Sequence, residues 1–386
     1  MLIVRVAAGN GARTSMARGQ NTQRIGLNRP TGDVSVADAC QEDYSPCTCY
    51  TYPSDAIPSL SVQCTNVPSF ESVQSVFRRT SAPQVKEFIL TIPSFEVNKT
   101  IPADLLSGKA AQEITLNCPS TETQLTVDPA AFDSSKDYAN LIRLNTCDLS
   151  QLDYTFLTKF NVLKEISYYS SISVAQWFGL PYLPSLQQLS INSLLDFKDF
   201  GNVPFAQLPA LSEYSVGFSP NFESLPNTTA MKVLRIESCP LFKQWDILAQ
   251  QSGMTSLSLL GLDGQTVRDA LDSVISSPSV GTLTDLILSR NGLTEVPGRI
   301  QLFSRLRSIS LSQNDISFVG NGSLSFSTLD LQYLDLSRNG IDTIESDAFR
   351  GLFFDLLIFF RVIIIFYVLF VQVILVRVGS PCRTID

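Results

Sequence analysis

The chain has 386 residues, 44% apolar and 17% charged, with a formal charge of −8 and no histidine. Such a composition is globular rather than disordered. Without imidazole there is no Ser-His-Asp triad, no Cys-His pair and no His-ligated metal, so acid–base chemistry would rest on carboxylate, Lys or Tyr alone. The acidic balance argues against a nucleic-acid binder, which needs a basic stripe to displace counterions from phosphate.

At the N-terminus the apolar start from Leu2 to Ala8 is broken by Arg5 and followed by a polar, Arg-bearing run to Arg29. That is not the shape of a signal peptide, and a leader upstream of a misassigned start is expected. Four cysteines then crowd together as Cys40-x6-Cys47-x-Cys49-x14-Cys64. Zinc clusters usually carry two pairs of the CxxC type, whereas this stretch has a single CxC and no His to complete it, so the cluster reads as a disulfide knot. Disulfides persist in oxidising compartments, which places the chain outside the cell or on its surface. Sequons at Asn98, Asn227 and Asn321 make these the candidate glycosylation sites, although their number is what chance would give.

Internal repeats follow. Leu283-x-x-Leu286-x-Leu288-x-x-Asn291-x-Leu293 recurs from Leu306 and from Leu331, at intervals of 23 and 25 residues. Weaker copies begin at Val85, Ala111, Ala139, Leu163, Leu186, Leu211, Met231 and Met254. In all eleven copies positions one, four and six are apolar or aromatic, and position nine holds Asn at 291, 314 and 339 and Cys at 147 and 239. The pattern is identified as that of leucine-rich repeats. Each repeat supplies one short strand whose ladder residues face inward, and only stacking buries them.

The fold class expected is therefore an α/β solenoid, a horseshoe with a parallel concave sheet and loops or short helical turns on its convex side. The position-nine side chain is expected to turn inward and satisfy buried backbone groups, strongly as Asn and weakly as Cys. Cys118 and Cys147 lie just after the strands of neighbouring repeats and are placed to pair, while Cys239 reads as a buried position-nine residue.

The Cys40 to Cys64 cluster with Asn66-Val67-Pro68 resembles the cysteine-rich N-terminal flank of extracellular leucine-rich repeat proteins. That resemblance implies the pairs Cys40–Cys49 and Cys47–Cys64. The stretch from Val73 to Phe132 is similar to arthropod secreted repeat proteins, among them those named after the non-catalytic subunit of oplophorus-luciferin 2-monooxygenase. This second likeness implies an accessory subunit that stabilises a secreted catalytic partner.

The C-terminal end departs from the pattern. Phe349-x-x-Leu352 begins the phrase by which one repeat enters the next, but Asp355 then stands where the first core leucine belongs. Leu356 to Val376 is 21 residues long, enough to cross a bilayer core, and is a candidate single-pass membrane attachment. If it spans, Arg377 and Arg383 face the cytoplasm and the repeats face outward. A wrongly joined coding segment also accounts for a register that fails in mid-phrase. The expected organisation is 1–39 unassigned and disordered, 40–80 a cysteine-rich cap, 81–351 a solenoid of about eleven repeats, 352–378 a hydrophobic segment and 379–386 a short tail.

Positions three, five, seven and eight are expected on the concave face. The fifth column reads Thr115, Ser167, Ser190, Ser215, Ser258 and Ser310, a flat polar floor. Position three carries Glu87, Glu113, Glu165, Glu213 and Asp285, read as ordinary solvated acids. Interface energy concentrates in aromatic and Arg residues, so Arg143, Tyr169, Phe218, Arg235, Arg290, Tyr333 and Arg338 are the candidate partner-binding residues. The function expected is non-catalytic, extracellular recognition or adhesion of a protein ligand, with no cofactor, no metal and no nucleic acid.

Overall fold

The computed structural model describes residues 40–52, 59–94, 100–170, 179–194, 197–201, 203–226, 228, 230–326 and 331–350. They fall into two compact units, one up to Ile247 and one from Leu248. Asn98, Asn227, Cys382 and the run from Leu356 to Val376 lie outside the described residues. Among the described residues no helix is long and apolar enough to cross a membrane.

The first unit opens with a hairpin, β1 (Thr48–Tyr52) antiparallel to β2 (Ser59–Cys64). Seven parallel strands follow in chain order: β3 (Gln84–Thr91), β4 (Ala110–Asn117), β5 (Leu141–Asn145), β6 (Glu165–Tyr169), β7 (Gln188–Asn192), β8 (Glu213–Gly217) and β9 (Val233–Glu237). The second unit contributes β10 (Ser256–Leu260), β11 (Asp285–Ile287), β12 (Ser308–Ser310) and β13 (Tyr333–Asp335). Each repeat thus forms its strand.

Within each unit position three lies opposite position three. The register runs Glu87, Glu113, Leu141, Glu165, Gln188, Glu213, Val233 in the first unit and Ser256, Asp285, Ser308, Tyr333 in the second. A one-residue slip would turn every ladder side chain to the wrong face. The apolar ladder holds the register: Phe88, Leu90, Ile114, Leu116, Leu286, Leu288, Ile309 and Leu311 are all fully buried.

Position nine behaves as its chemistry requires. The Asn314 amide donates to the Leu288 and Leu311 carbonyls at 2.8 and 2.9 Å, and its Oδ1 accepts from the Asn291 and Leu293 N–H groups at 2.9 and 3.2 Å. Asn339 repeats this toward the Leu311 carbonyl and the Ile316 N–H. In the first unit the Cys239 thiol contacts the Glu237 carbonyl at 3.3 Å, and burial pushes it above the ordinary thiol range. The repeat before it uses Ser219, whose hydroxyl donates to the Gly217 carbonyl at 3.1 Å. A hydroxyl is the third side chain able to fill this position.

Position eight is a regularity of the backbone. From Thr146 onward it is left-handed in every repeat: Thr146, Ser170, Ser193, Phe218, Ser238, Gly261, Arg290, Gln313 and Arg338 have φ between 50° and 63°. In seven of these nine the turn swings the N–H onto the position-seven carbonyl of the next repeat, as in Thr146 to Tyr169 at 2.8 Å and Gln313 to Ser337 at 2.9 Å. For a residue with a Cβ the left-handed region costs about 1–2 kcal/mol.

The outer segments are loops, single helical turns and, in two places, short regular α-helices. Helix α1 (Phe70–Arg79) is capped by Ser69, which accepts from the Ser72 N–H, and buries Phe70, Val73, Val76 and Phe77. Helix α2 (Gly264–Ile275) is capped by Asp263 and buries Val267, Ala270, Leu271, Val274 and Ile275. It occupies the longest repeat, 29 residues from Met254 to Leu283, the one with room for three helical turns.

Candidate functional site

The first unit is stapled covalently at its N-terminal end and between two neighbouring repeats. Cys40 is bonded to Cys49 and Cys47 to Cys64, and Cys118 is bonded to Cys147 across neighbouring repeats. Cys64 is fully buried at the end of β2, which pairs in parallel with β3. The cysteine-rich segment is therefore continuous with the repeat sheet and covers its first strand.

The open face of the sheet, opposite the apolar ladder, carries the candidate site. In the first unit three of its acids, Glu87, Glu113 and Glu165, are hydrogen-bonded across strands rather than simply solvated, which corrects the sequence reading for them. Ser61 donates to Glu87 at 2.7 Å, Arg143 pairs with Glu113 at 3.2 Å, and Ser190 donates to Glu165 at 3.1 Å. Burial raises the Glu165 carboxyl above its ordinary range. The Ser190 hydroxyl and Arg143 oppose that shift, and Glu213 and Glu113 reinforce it.

The folded protein therefore holds a proton on Glu165 to higher pH than the unfolded chain does. Stability falls as pH rises through the window between the two values and stays lower above it. Glu165→Gln is expected to raise stability at neutral pH and to remove this part of the pH dependence. Urea denaturation of both chains at mildly acidic and alkaline pH checks it; equal pH slopes would refute the assignment.

Of the seven candidate binding residues, four lie in the first unit. Arg143 is half-buried against Glu113, and Arg235 pairs at 2.8 Å with Glu237, whose side chain is only 9% exposed. Tyr169 and Phe218 stand out from the face, 49% and 45% exposed. Arg290, Tyr333 and Arg338 lie in the second unit, where the Tyr333 hydroxyl donates to Asp335 at 3.3 Å. Within the first unit Arg143, Tyr169, Phe218 and Arg235 are spread over four strands or their ends.

Sequence reasoning missed Glu237, which stands two residues after Arg235 on the same strand. Period-two alternation puts both on one face, and that signal was available. It also missed the hydroxyl triangle of Ser289, Ser310 and Ser312, with oxygens 3.0 to 3.1 Å apart. Asn321 is exposed in an outer turn, where its Oδ1 accepts from the Asp347 N–H at 2.9 Å. Among the described residues no three Cys, Asp or Glu side chains come close enough to share a metal ion.

Residues 304–353 match the family model described as leucine rich repeat. Among solved structures the chain is similar to TLR13 in its complex with ssRNA13, at 13% identity over 75% of this chain and 48% of that one, TM-score 0.45. It is also similar to Toll of the Drosophila Toll–Spatzle complex, at 15% over 82% and 54%, TM-score 0.38. The internalin inlF of Listeria monocytogenes aligns at 13% over 72% and 88%, TM-score 0.31. The chain spans about half the length of the TLR13 and Toll chains. No curated protein matches it, so the likeness to the luciferin monooxygenase subunit has no support there. Residues 304–353 are thus matched as leucine rich repeat, and the in-register strands with the asparagine ladder of the second unit give the fold as an α/β solenoid.

Proposed function

We propose that this chain is a non-catalytic extracellular or cell-surface protein that recognises another protein through the open face of its repeat sheet. One observation carries the reading. Position five forms a small-residue floor in register, Ser167, Ser190 and Ser215 lying on adjacent strands between Arg143 and Arg235. A partner can approach the backbone closely there, with the exposed Tyr169 and Phe218 available as anchors beside the floor. The three disulfides support an oxidising compartment. Glycosylation at Asn98, Asn227 and Asn321, and membrane attachment through Leu356 to Val376, belong to the same proposal.

Ser167→Arg with Ser215→Arg fills the floor with long side chains beside Glu165 and Glu213, which tolerate the added charge. Partner capture from extracellular fluid, followed by cross-linking to the full chain, is expected to fall at least tenfold with the melting temperature unchanged. Undiminished capture would move the site off this face.

A further inference from the structure

Tyr169 ends β6 in the first unit and is 49% exposed on the open face. Its register partners are Asn145 at the end of β5 and Asn192 at the end of β7, so the ring stands between two carboxamides, each one strand spacing of roughly 4.8 Å away. Both amides are held and keep bonding capacity. Asn145 donates one N–H to Asn117 Oδ1 at 2.9 Å, and a carboxamide has a second N–H and an accepting oxygen besides. Asn192 Oδ1 accepts from the Ser193 hydroxyl at 3.0 Å, which leaves the donating end of that amide. Gly217, opposite Asn192 on β8, makes room for it, because a Cβ at 217 would meet Asn192 Nδ2 at 3.2 Å. Earlier on the same strands Gln188 donates to Ser190 at 2.7 Å and Ser190 to Glu165 at 3.1 Å. Fixed donors and acceptors therefore surround an exposed aromatic ring.

These surroundings select among ligand chemistries. An apolar side chain laid on Tyr169 would cover the two carboxamides without bonding them, and covered polar groups left unbonded are costly. An acidic side chain gains little, because the cations of this part of the face are already matched, Arg143 by Glu113 at 3.2 Å and Arg235 by Glu237 at 2.8 Å. A pyranose satisfies both demands. Its C–H face stacks on the electron-rich face of the ring, and its hydroxyls, each donor and acceptor at once, reach the amides on either side.

We propose that Tyr169, Asn145 and Asn192 form a carbohydrate subsite on the open face, which takes a neutral sugar residue of a glycan carried by the protein partner. The inference rests on the open-face reading and names the part of the partner recognised there.

The probes are a high-mannose N-glycan, a poly-N-acetyllactosamine chain and chitotetraose, each immobilised and presented to the full chain in biolayer interferometry. The native chain binds at least one of them, equally well at low and physiological salt because the sugars are uncharged. Tyr169→Ala weakens that binding by about tenfold or more, whereas Tyr169→Phe, which keeps the stacking face, stays within about twofold. Asn192→Leu, which keeps the shape of the amide without its donors, also weakens it by about tenfold, with the melting temperature unchanged. Should Tyr169→Ala melt lower, Tyr169→Leu keeps an apolar side chain on the sheet, and the same loss is expected. Binding to none of the three sugars, undiminished binding by Tyr169→Ala, or binding confined to a sulfated polysaccharide and lost with salt would overturn the proposal. Enzymatic removal of the glycans from the captured partner separates the two readings. Capture that survives it overturns the subsite alone, while the Ser167 and Ser215 variant tests the open face.

Discussion

Asn314→Ala is expected to destabilise the chain by about 3–5 kcal/mol. One side chain there serves four backbone groups: the carbonyls of Leu288 and Leu311 and the N–H groups of Asn291 and Leu293. Asn314 is itself only 5% exposed, so these groups are shielded from bulk water. Each buried donor or acceptor left without a partner costs about 1–3 kcal/mol, and Leu311 keeps one bond because Asn339 also donates to it. Asn314→Ser, which keeps a short polar group as Ser219 does, should lose about half as much. Urea titration of both variants checks the order, and equal midpoints for alanine and native chain would refute the role.

Phe222→Ala is the second large effect, also about 3–5 kcal/mol. Phe222 is fully buried in an aromatic column of the first unit, stacked on Phe197 at 5.4 Å and on Phe242 at 5.1 Å, with Phe200 edge-on at 6.0 Å. Trp245 closes the column, 4.5 Å from Phe242. The column links the outer segments of successive repeats, so a cavity at its middle removes contacts on both sides. Phe218→Ala, four residues earlier and 45% exposed, should change stability by less than about 1 kcal/mol. Thermal unfolding of the pair separates the two, and similar losses would show that the column is not what holds these segments.

The strands and their register were legible because the ladder repeats: Leu286, Leu288 and Asn291 recur as Ile309, Leu311 and Asn314, and each has one geometric role. The weaker early copies were readable as well, since the frame set by Val85 and Ala111 is the one in which β3 and β4 pair. The two helices were less visible. The burial pattern of α2, Val267, Ala270, Leu271 and Val274, has helical spacing, but it was overshadowed by the repeat period.

The left-handed row at position eight could not be read at all. Thr, Ser, Phe, Gly, Arg and Gln share it, and in seven of the nine the N–H bond to the next repeat accompanies it. The candidate site was legible as a face but not as a set of contacts. That Arg143 and Arg235 are paired to Glu113 and Glu237 depends on which strands are neighbours and how the long side chains fold.

A protein partner seated on the open face would shield that face's aromatic side chains from oxidative footprinting. Tyr169 and Phe218 report on that face in the first unit, 49% and 45% exposed, while Tyr138 and Tyr182 report on outer segments of the same unit, 48% and 61% exposed. With captured partner bound, the first set should be protected and the second should react as in the free chain. Protection of Tyr138 and Tyr182 with Tyr169 and Phe218 still reactive would place the partner on the outer segments instead.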